Sequence, residues 1–344
     1  MVVKSKHSAT KLDIACLSSQ FLTQHMLDLY DEFNKEVFEH KIQALAGVVE
    51  MCNIVYEKFG FQHPTIDCID LEHRYIKANE HPKDVALGFS AGLDSTYQAI
   101  ALKEAGFNVH LIFVRNVNTY ENGQSWKYAI EIAHTLGLDM IDVVMQKNLK
   151  KSSNEFRQHW PENPIKNQLI LAVMLDICLD RGWKFISLGD DFDLTIDKAV
   201  AGVNVTDARE VTMSFLNGIS AEISGFEFIP IAAKHDKSVR LQAMLDYGLQ
   251  DMYYSCVQPG RLNKHFRNWT QDKFNIHLFG NNCGKCRKCC MHNLILHYTR
   301  KMQFSDEYIK YCWEKMYMTG CKADYEFFKP EIPLEQRIAN LFSY

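Results

Sequence analysis

Residues 90 to 96, Ser-Ala-Gly-Leu-Asp-Ser-Thr, concentrate small and hydroxyl-bearing side chains at one point of the chain. They follow the apolar run Val85-Ala86-Leu87 and precede an amphipathic run that starts at Tyr97. A helix N-terminus presents free backbone N–H groups and the positive end of the helix dipole, and small residues let an anion approach them. A capped turn needs only one such residue. The pattern therefore favours a phosphate-binding loop between a strand and a helix.

A second group of reactive residues is a cysteine cluster with the spacing Cys283-x-x-Cys286-x-x-Cys289. This spacing lets thiolates face one tetrahedral Zn²⁺, and Gly284 permits the tight turn between them. Cys256 is the natural fourth ligand, and the alternatives are Cys290 and His292. An iron–sulfur cluster is the competing interpretation. Four thiolates close a site, so we expect structural rather than catalytic zinc.

The overall composition limits the classes of protein to consider. The 344 residues are 47% hydrophobic and 23% charged, as in a globular protein, and the formal net charge is −4. No apolar run is long enough to span a membrane, and residues 1–20 lack the apolar core of a secretory signal. The eleven cysteines then favour reduced thiols or a metal site. We expect a cytoplasmic protein with no membrane partner and, because the net charge is negative, nucleic acid is an unlikely partner.

From residue 85 the chain alternates between strand and helix patterns. Further strands are expected at Val109–Val114, Met140–Val144 and Lys184–Leu188, and helices at Trp126–Leu136, ending at Gly137, and at Asn167–Leu179. This order predicts an α/β fold with a doubly wound parallel sheet. Ligands bind at the carboxyl ends of such strands. Residues 90–96, 115–116 and 189–193 follow three strand ends and should meet in one crevice.

The regions on either side of this domain read as helical. Residues 1–84 are predicted to form a helical N-terminal extension, because apolar residues recur at helical spacing between 14 and 60. The α/β domain is predicted to cover 85–240. Residues 241–344 are predicted to carry the zinc site and further helices, at Asn293–His297 and Asp306–Met318. Another helix, Ser238–Tyr247, is expected across the boundary between the two regions.

The loop Ser90-Ala91-Gly92-Leu93-Asp94-Ser95 resembles the SGGxDS loop of the PP-loop ATP pyrophosphatases. The resemblance implies the adenine-nucleotide α-hydrolase fold, binding of the ATP phosphates by the loop, and cleavage of ATP to AMP and pyrophosphate. Together with Ser255-Cys256 and CGKCRKC at 283–289, the loop resembles the 7-cyano-7-deazaguanine synthase (QueC) family. Coverage runs from about 85 to 298. The implied cofactors are ATP, Mg²⁺ and Zn²⁺.

The resemblance also implies roles for individual residues. Catalytic roles fall to Asp94, Ser95, Lys237 and Arg209. ATP binding falls to Phe89, Ser90, Ala91, Gly92, Leu93, Asp94, Ser95, Thr96, Val114 and Arg115. Substrate binding falls to Lys166, Asn167, Asp190, Asp193, Asp207 and Arg209, and metal binding to Cys256, Cys283, Cys286 and Cys289. Asp94 could hold Mg²⁺ or cap the helix, and the acidic residues 190–193 could orient an amine, bind a metal or be solvated.

Two departures from the family pattern bear on this interpretation. Ala91 replaces the second residue of SGGxDS, and a Cβ there costs about 1 kcal/mol if φ is positive and nothing if φ is negative. The intact Gly92 and Asp94 favour a negative φ. Thr206-Asp207-Ala208-Arg209 lacks the Tyr, Pro and Cys of the family's YPDCR segment, and Lys166 replaces an Arg. The ATP half thus matches the family better than the substrate half.

The expected reaction is ATP-dependent C–N bond formation. A carboxylate of a deazapurine-like acid attacks the α-phosphate of ATP, and an amine then attacks the adenylate. The amine donor is ammonia or an amine on a protein partner, and a homodimer is possible. One alternative is an RNA-modifying thiolase or ligase that uses the same loop on a tRNA base. Another is a nucleotide-binding protein that recruits a partner.

Overall fold

The computed structural model describes 83–115, 123–144, 237–256, 260–299 and 301–318 continuously, and the short strands at 2–5, 42–44, 66–68, 74–75, 197–200 and 203–206. Between these it describes residues 170, 171, 174, 177, 178, 181–189, 223–224, 226–232 and 235. The strands are β1 (Val2–Ser5), β2 (Ile42–Ala44), β3 (Ile66–Cys68), β4 (Arg74–Tyr75), β5 (Asp84–Gly88), β6 (Asn108–Arg115), β7 (Asp139–Val144), β8 (Phe185–Leu188), β9 (Asp197–Val200), β10 (Val203–Thr206), β11 (Ile223–Ser224) and β12 (Glu227–Phe228). The helices are α1 (Leu93–Glu104), α2 (Gly123–Leu136), α3 (Lys237–Asp246), α4 (Gly260–Phe274), α5 (Arg287–Tyr298) and α6 (Asp306–Met318).

Six strands form one sheet in the order β1-β7-β6-β5-β8-β12, and every neighbouring pair is parallel. Counted from β5, the strands β7, β6, β5, β8 and β12 have the order 3-2-1-4-5, which is that of a doubly wound sheet. The winding direction reverses between β5 and β8. In such folds a ligand binds outside the carboxyl ends of the two strands at this switch point. The predicted fold class is confirmed.

The central strands are apolar because both faces of the sheet are covered. Every residue of β5 and of β8 is buried. Helix α1 follows β5 and packs against β5, β6 and α3, and α5 packs against α3 and α6. The same core continues into the C-terminal helices through Leu294, Tyr308 and Cys312, all fully buried. The C-terminal helices therefore share one core with the sheet and with helix α1.

Most predicted elements lie close to where the sequence placed them. Helix α2 ends at Leu136, immediately before the predicted Gly137, and α6 has the predicted bounds. The described residues between 170 and 181 are helical, as expected. Helix α5 starts at Arg287, earlier than predicted, because the cysteine cluster itself enters the first turn.

The N-terminal region differs from the helical prediction where the structure describes it. Strand β1 pairs with β7 at the edge of the main sheet, and β2 pairs with β3. The prediction of helix at 42–44 is wrong, since a short apolar run fits a strand as well as a helix and the pairing partner decides. Most of 1–82 and all of 319–344 lie outside the described residues. None of the helices in the described part of the chain is both long and apolar enough to cross a membrane.

Candidate nucleotide site and metal centre

The loop between β5 and α1 lies at the switch point of the sheet. The Ser90 N–H donates to Ser95 Oγ at 3.2 Å, and the two serine hydroxyls are 3.1 Å apart. Ser95 Oγ also donates to the Gly92 carbonyl at 3.3 Å. Gly92 is the N-cap of α1 and offers no side-chain oxygen, so no capping side chain occupies the amides of Asp94 and Ser95, which can bind an anion.

Ala91 has a φ of +58°, whereas Gly92 has a φ of −79°. The expectation of a negative φ at position 91 is wrong. Position 91, where the SGGxDS pattern has a glycine, is therefore the one in the left-handed conformation. The Cβ of Ala91 is fully buried. A non-glycine residue in this conformation costs about 1–2 kcal/mol. The turn into α1 thus stores backbone strain beside the first amides of the helix.

The end of β8 approaches the start of α1 very closely. A Cβ built on Gly189 would overlap the backbone N and Cα of Ser95. Only a glycine lets the backbone come this near. Of the three strand ends that were expected to meet, at 90–96, 115–116 and 189–193, the first and the third meet at Ser95 and Gly189, while residues 190–193 lie outside the described residues. Arg115 ends β6, and its side chain is outside the described atoms.

Asp94 joins two cations of helix α3. Its Oδ1 accepts from Lys237 Nζ at 2.6 Å and from an Arg240 guanidinium N–H at 2.7 Å. Burial raises the pKa of the Asp94 carboxyl, but Lys237, Lys288 and Arg240 outweigh it and hold the pKa well below its usual range. Asp94 is therefore a carboxylate that orients a cluster of positive charge at the loop.

Sequence reasoning missed Arg240. It is 3% exposed and also donates to the carbonyl oxygens of His235 and Ala232. Arg240 lies three residues after Lys237, so both cations lie on one face of α3. This spacing is the sequence signal from which Arg240 could have been predicted to join Lys237 at the site. The pair gives the site two donors whose position is set by packing.

A buried polar cluster lies behind these charges. Burial, followed by the charge of Lys288, lowers the pKa of His292 to about 3, so its ring is neutral. Its Nδ1 lies 3.3 Å from the Tyr253 hydroxyl, which accepts from the Asn282 amide at 2.8 Å. His292 Nε2 has no hydrogen-bond partner among the described residues. The ring therefore holds one unused polar atom close to the Asp94 cluster.

The four predicted metal ligands come together in a buried centre. The Sγ atoms of Cys256, Cys283, Cys286 and Cys289 all lie within 4.8 Å of one another. Among the two alternatives, Cys290 points its thiol at the Gly284 carbonyl instead, at 3.7 Å. Gly284 has a φ of +67°, which is the turn that the sequence predicted there.

The geometry of this centre fits a single ion. The Sγ–Sγ distances are 3.9 Å for Cys256–Cys286, 3.8 Å for Cys283–Cys289 and 3.3 Å for Cys286–Cys289. Tetrahedral thiolates about 2.3 Å from one zinc lie roughly 3.8 Å apart. A cubane cluster gives each thiolate its own iron and spreads the sulfurs farther apart. The residues present therefore suit one tetrahedral, thiolate-bound metal ion.

The segment 254–256 lies between the metal centre and the loop. The Tyr254 N–H donates to the Ala91 carbonyl at 2.8 Å, and the Leu93 N–H donates to Ser255 Oγ at 2.9 Å. Cys256 follows directly. Neither contact was foreseen from the sequence, which marked Ser255 only as part of a motif.

The remaining predicted residues fall into two groups. Phe89, Val114 and Thr96 are buried beside the loop, and Thr96 Oγ1 has no partner among the described residues. The predicted substrate residues Lys166, Asn167, Asp190, Asp193, Asp207 and Arg209 lie outside the described residues. Their roles stay predictions.

Comparison with known proteins gives partial matches. No protein-family model matches the chain. Over 154 residues, 40% of this chain and 41% of the relative, it is 26% identical to the tRNA-specific 2-thiouridylase MnmA of Levilactobacillus brevis. Over 177 residues, 47% of each chain, it is 24% identical to the same-named protein of Protochlamydia amoebophila. The matches thus span less than half the length of these curated relatives.

Among solved structures, the U34-tRNA thiolase NcsA of Methanococcus maripaludis, determined with its [4Fe-4S] cluster, aligns at 17% identity. The alignment covers 66% of this chain and 74% of that one, with a TM-score of 0.34. The loop, the sheet and the curated relatives support the PP-loop ATP pyrophosphatase superfamily. They do not single out the 7-cyano-7-deazaguanine synthase family within it.

Proposed function

We propose that this protein cleaves ATP to AMP and pyrophosphate in order to adenylate an oxygen of an RNA base. The observation that carries the ATP half is the loop at the switch point, where Asp94 aligns Lys237 and Arg240. Pyrophosphate would leave into the helix N-terminus and this cation pair, which stabilise its developing charge. Mg²⁺ carried in by ATP would shield the phosphates.

The charge distribution supports RNA as the substrate. Residues 260–301 contain nine lysines and arginines and a single aspartate, a net charge of +8, so the rest of the chain carries −12. Such segregation is the electrostatic footprint of a nucleic-acid-binding protein. The expectation that nucleic acid is an unlikely partner rested on the overall charge of −4, which does not reflect this uneven distribution.

Aromatic side chains lie among these charges. Lys285 Nζ is 4.4 Å from the Phe266 ring centroid and 4.5 Å from that of Trp269, and Lys273 Nζ is 5.0 Å from Trp269. Phe266 also packs against the cysteine centre. Half-exposed aromatics between cations can stack on unpaired bases. The basic segment is therefore suited to present a base to the loop.

In this reaction a base carbonyl oxygen attacks the α-phosphate, and the bond to pyrophosphate breaks. A sulfide-level sulfur nucleophile then attacks the adenylated carbon, and AMP leaves with the oxygen. The curated relatives are named as tRNA 2-thiouridylases, which agrees with this outcome. The four-cysteine centre would hold Zn²⁺ as a structural ion.

A second candidate is the C–N ligase expected from the sequence, in which a deazapurine-like carboxylate is adenylated and an amine attacks. The observation that favours it is the cysteine centre, whose Ser255-Cys256 and CGxCxxC motifs come together as that resemblance requires. The acceptor would be ammonia or a protein amine.

One experiment separates the two candidates. Pyrophosphate release is measured with ATP plus bulk tRNA and sulfide, and with ATP plus 7-carboxy-7-deazaguanine and ammonia, with products identified by mass spectrometry. RNA-dependent release with a thiolated nucleoside supports the main proposal, and acid-dependent release with an amide or nitrile supports the second. Release in neither arm contradicts both. Lys237→Ala should abolish release. The matched control is Lys184→Ala, since Lys184 pairs with Glu227 at the opposite end of β8.

A further inference from the structure

We infer that residues 254–256 link the four-cysteine metal centre to the phosphate loop, by which we mean residues 90–96. Ser255 is the positioning residue of this link. The link rests on two hydrogen bonds between segments far apart in sequence. Ser255 Oγ accepts the Leu93 N–H at 2.9 Å across a separation of 162 residues, and the Tyr254 N–H donates to the Ala91 carbonyl at 2.8 Å. Both contacts lie at the turn where β5 becomes α1.

These two contacts bracket the strained part of the loop. Ala91 has the positive φ, Gly92 is the N-cap, and Leu93 is the first residue of α1. A conformation that costs about 1–2 kcal/mol persists only where surrounding contacts impose it. The partners of 91 and 93 therefore determine whether the following amides point toward a bound phosphate.

The other end of the link is a metal ligand. Ser255 is 6% exposed, and Cys256, which follows it, is one of the four clustered thiolates. A bound ion would hold the Cys256 sulfur against three sulfurs of the 283–289 turn. Removing the ion would take away this shared ligand, and the position of 254–256 would then be less restrained. Loss of the metal should then loosen the loop.

The coupling must act in both directions. If the metal strengthens ATP binding by some factor, ATP strengthens metal binding by the same factor. Couplings between sites usually lie between fivefold and 150-fold, and for one buried hydrogen bond we expect about tenfold. This inference rests on the proposed function in one respect, namely that the loop binds ATP.

The test compares zinc-reconstituted protein with chelator-treated protein. ATP affinity is measured by calorimetry, amide hydrogen exchange is followed at residues 91–96, and zinc release to a chelator is timed with and without ATP. In the wild type, zinc removal should weaken ATP binding about tenfold and speed exchange at 91–96. ATP should slow zinc release. This last measurement needs no stable metal-free protein.

The Ser255→Ala variant removes the acceptor for the Leu93 N–H. Loaded with zinc, it should bind ATP several-fold more weakly, and its ATP affinity should depend on zinc much less than that of the wild type, because only the Tyr254–Ala91 bond remains. Ser255→Thr keeps a hydroxyl and should restore most of the dependence. The matched control is Thr270→Ala, because Thr270 Oγ1 donates to the carbonyl oxygens of Cys283 and Phe266, beside the metal centre. It should weaken zinc binding and leave the coupling factor unchanged.

The outcomes separate the link from the proposed function. If zinc-loaded wild type binds no ATP but exchange at 91–96 still responds to zinc, the link stands and the ATP site is wrong. If ATP binds equally well with and without zinc, or if Ser255→Ala keeps the wild-type response, the link is overturned.

Discussion

The loop at residues 90–96 and the cysteine centre differ in how the chain builds them and in how far they are exposed to solvent. The loop is a continuous run of seven residues whose Ser90 is exposed and whose Asp94 side chain is 19% exposed. The centre joins Cys256 to a distant turn, and all four of its cysteines are buried. An accessible site can exchange its ligand at each turnover, whereas a closed four-thiolate site retains it. Its exposure therefore suits the loop to a ligand that exchanges, and its burial suits the cysteine centre to an ion that stays bound.

The largest effect is expected at the centre. Cys289→Ser should lose the metal and lower the free energy of unfolding by more than about 4 kcal/mol, since metal binding supplies folding free energy. Metal content and thermal unfolding measure this. The control is Cys178→Ser, which changes another buried cysteine and should keep the metal. Full metal content in Cys289→Ser would show that Cys289 is not a ligand. Iron in the wild-type protein would contradict the assignment of zinc and indicate an iron–sulfur cluster.

The next effect is expected where β8 meets the loop. Gly189→Ala should displace the backbone at Ser95 and weaken ATP binding at least 100-fold, because backbone atoms cannot move aside as a flexible side chain does. Equilibrium dialysis with ATP measures it. Gly248→Ala is the control, because its Cβ meets nothing within 4 Å and only the positive φ of 66° is strained. ATP affinity within twofold of wild type in Gly189→Ala would contradict the close approach.

Asp94→Asn should reduce ATP cleavage about 100-fold and stability by about 2 kcal/mol, since it removes the carboxylate that Lys237 and Arg240 share. Because the pKa of Asp94 is depressed in the folded state, its contribution is present at neutral pH and lost as the pH falls below about 4. The stability difference between wild type and Asp94→Asn should therefore shrink below that pH. Denaturation at several pH values tests it. Asp246→Asn, on the exposed end of α3, should show neither effect.

The smallest effect on stability is expected at Ala91, where a substitution changes only the backbone strain of the loop. Ala91→Gly relieves about 1–2 kcal/mol of left-handed strain, which stabilises the folded state. It also raises the entropy of the unfolded chain, which opposes this by about 0.5–1 kcal/mol. We therefore expect the free energy of unfolding to rise by about 0.5 kcal/mol. Urea denaturation measures the sign. Ala99→Gly, inside α1, should instead destabilise by about 1 kcal/mol. A loss of stability in Ala91→Gly would show that position 91 is unstrained.

Features encoded over a few residues could be predicted from the sequence. The strand-to-helix loop at 90–96, the parallel sheet and the cysteine spacing were all read from local patterns, and Cys256 was chosen correctly as the fourth clustered cysteine. Such patterns suffice because helix and strand periods and the reach of a thiolate around an ion are short-range properties.

Other features depended on how distant elements pack. The Asp94–Arg240 pair spans 146 residues and the Leu93–Ser255 contact spans 162. The overlap of Gly189 with Ser95 and the sign of φ at Ala91 likewise follow from the approach of neighbouring segments. Local sequence patterns were enough to indicate which residues can bind phosphate and metal. They could not indicate which cations face the loop or what holds its strained turn, because these contacts exist only once β5, β8, α1 and α3 are packed together.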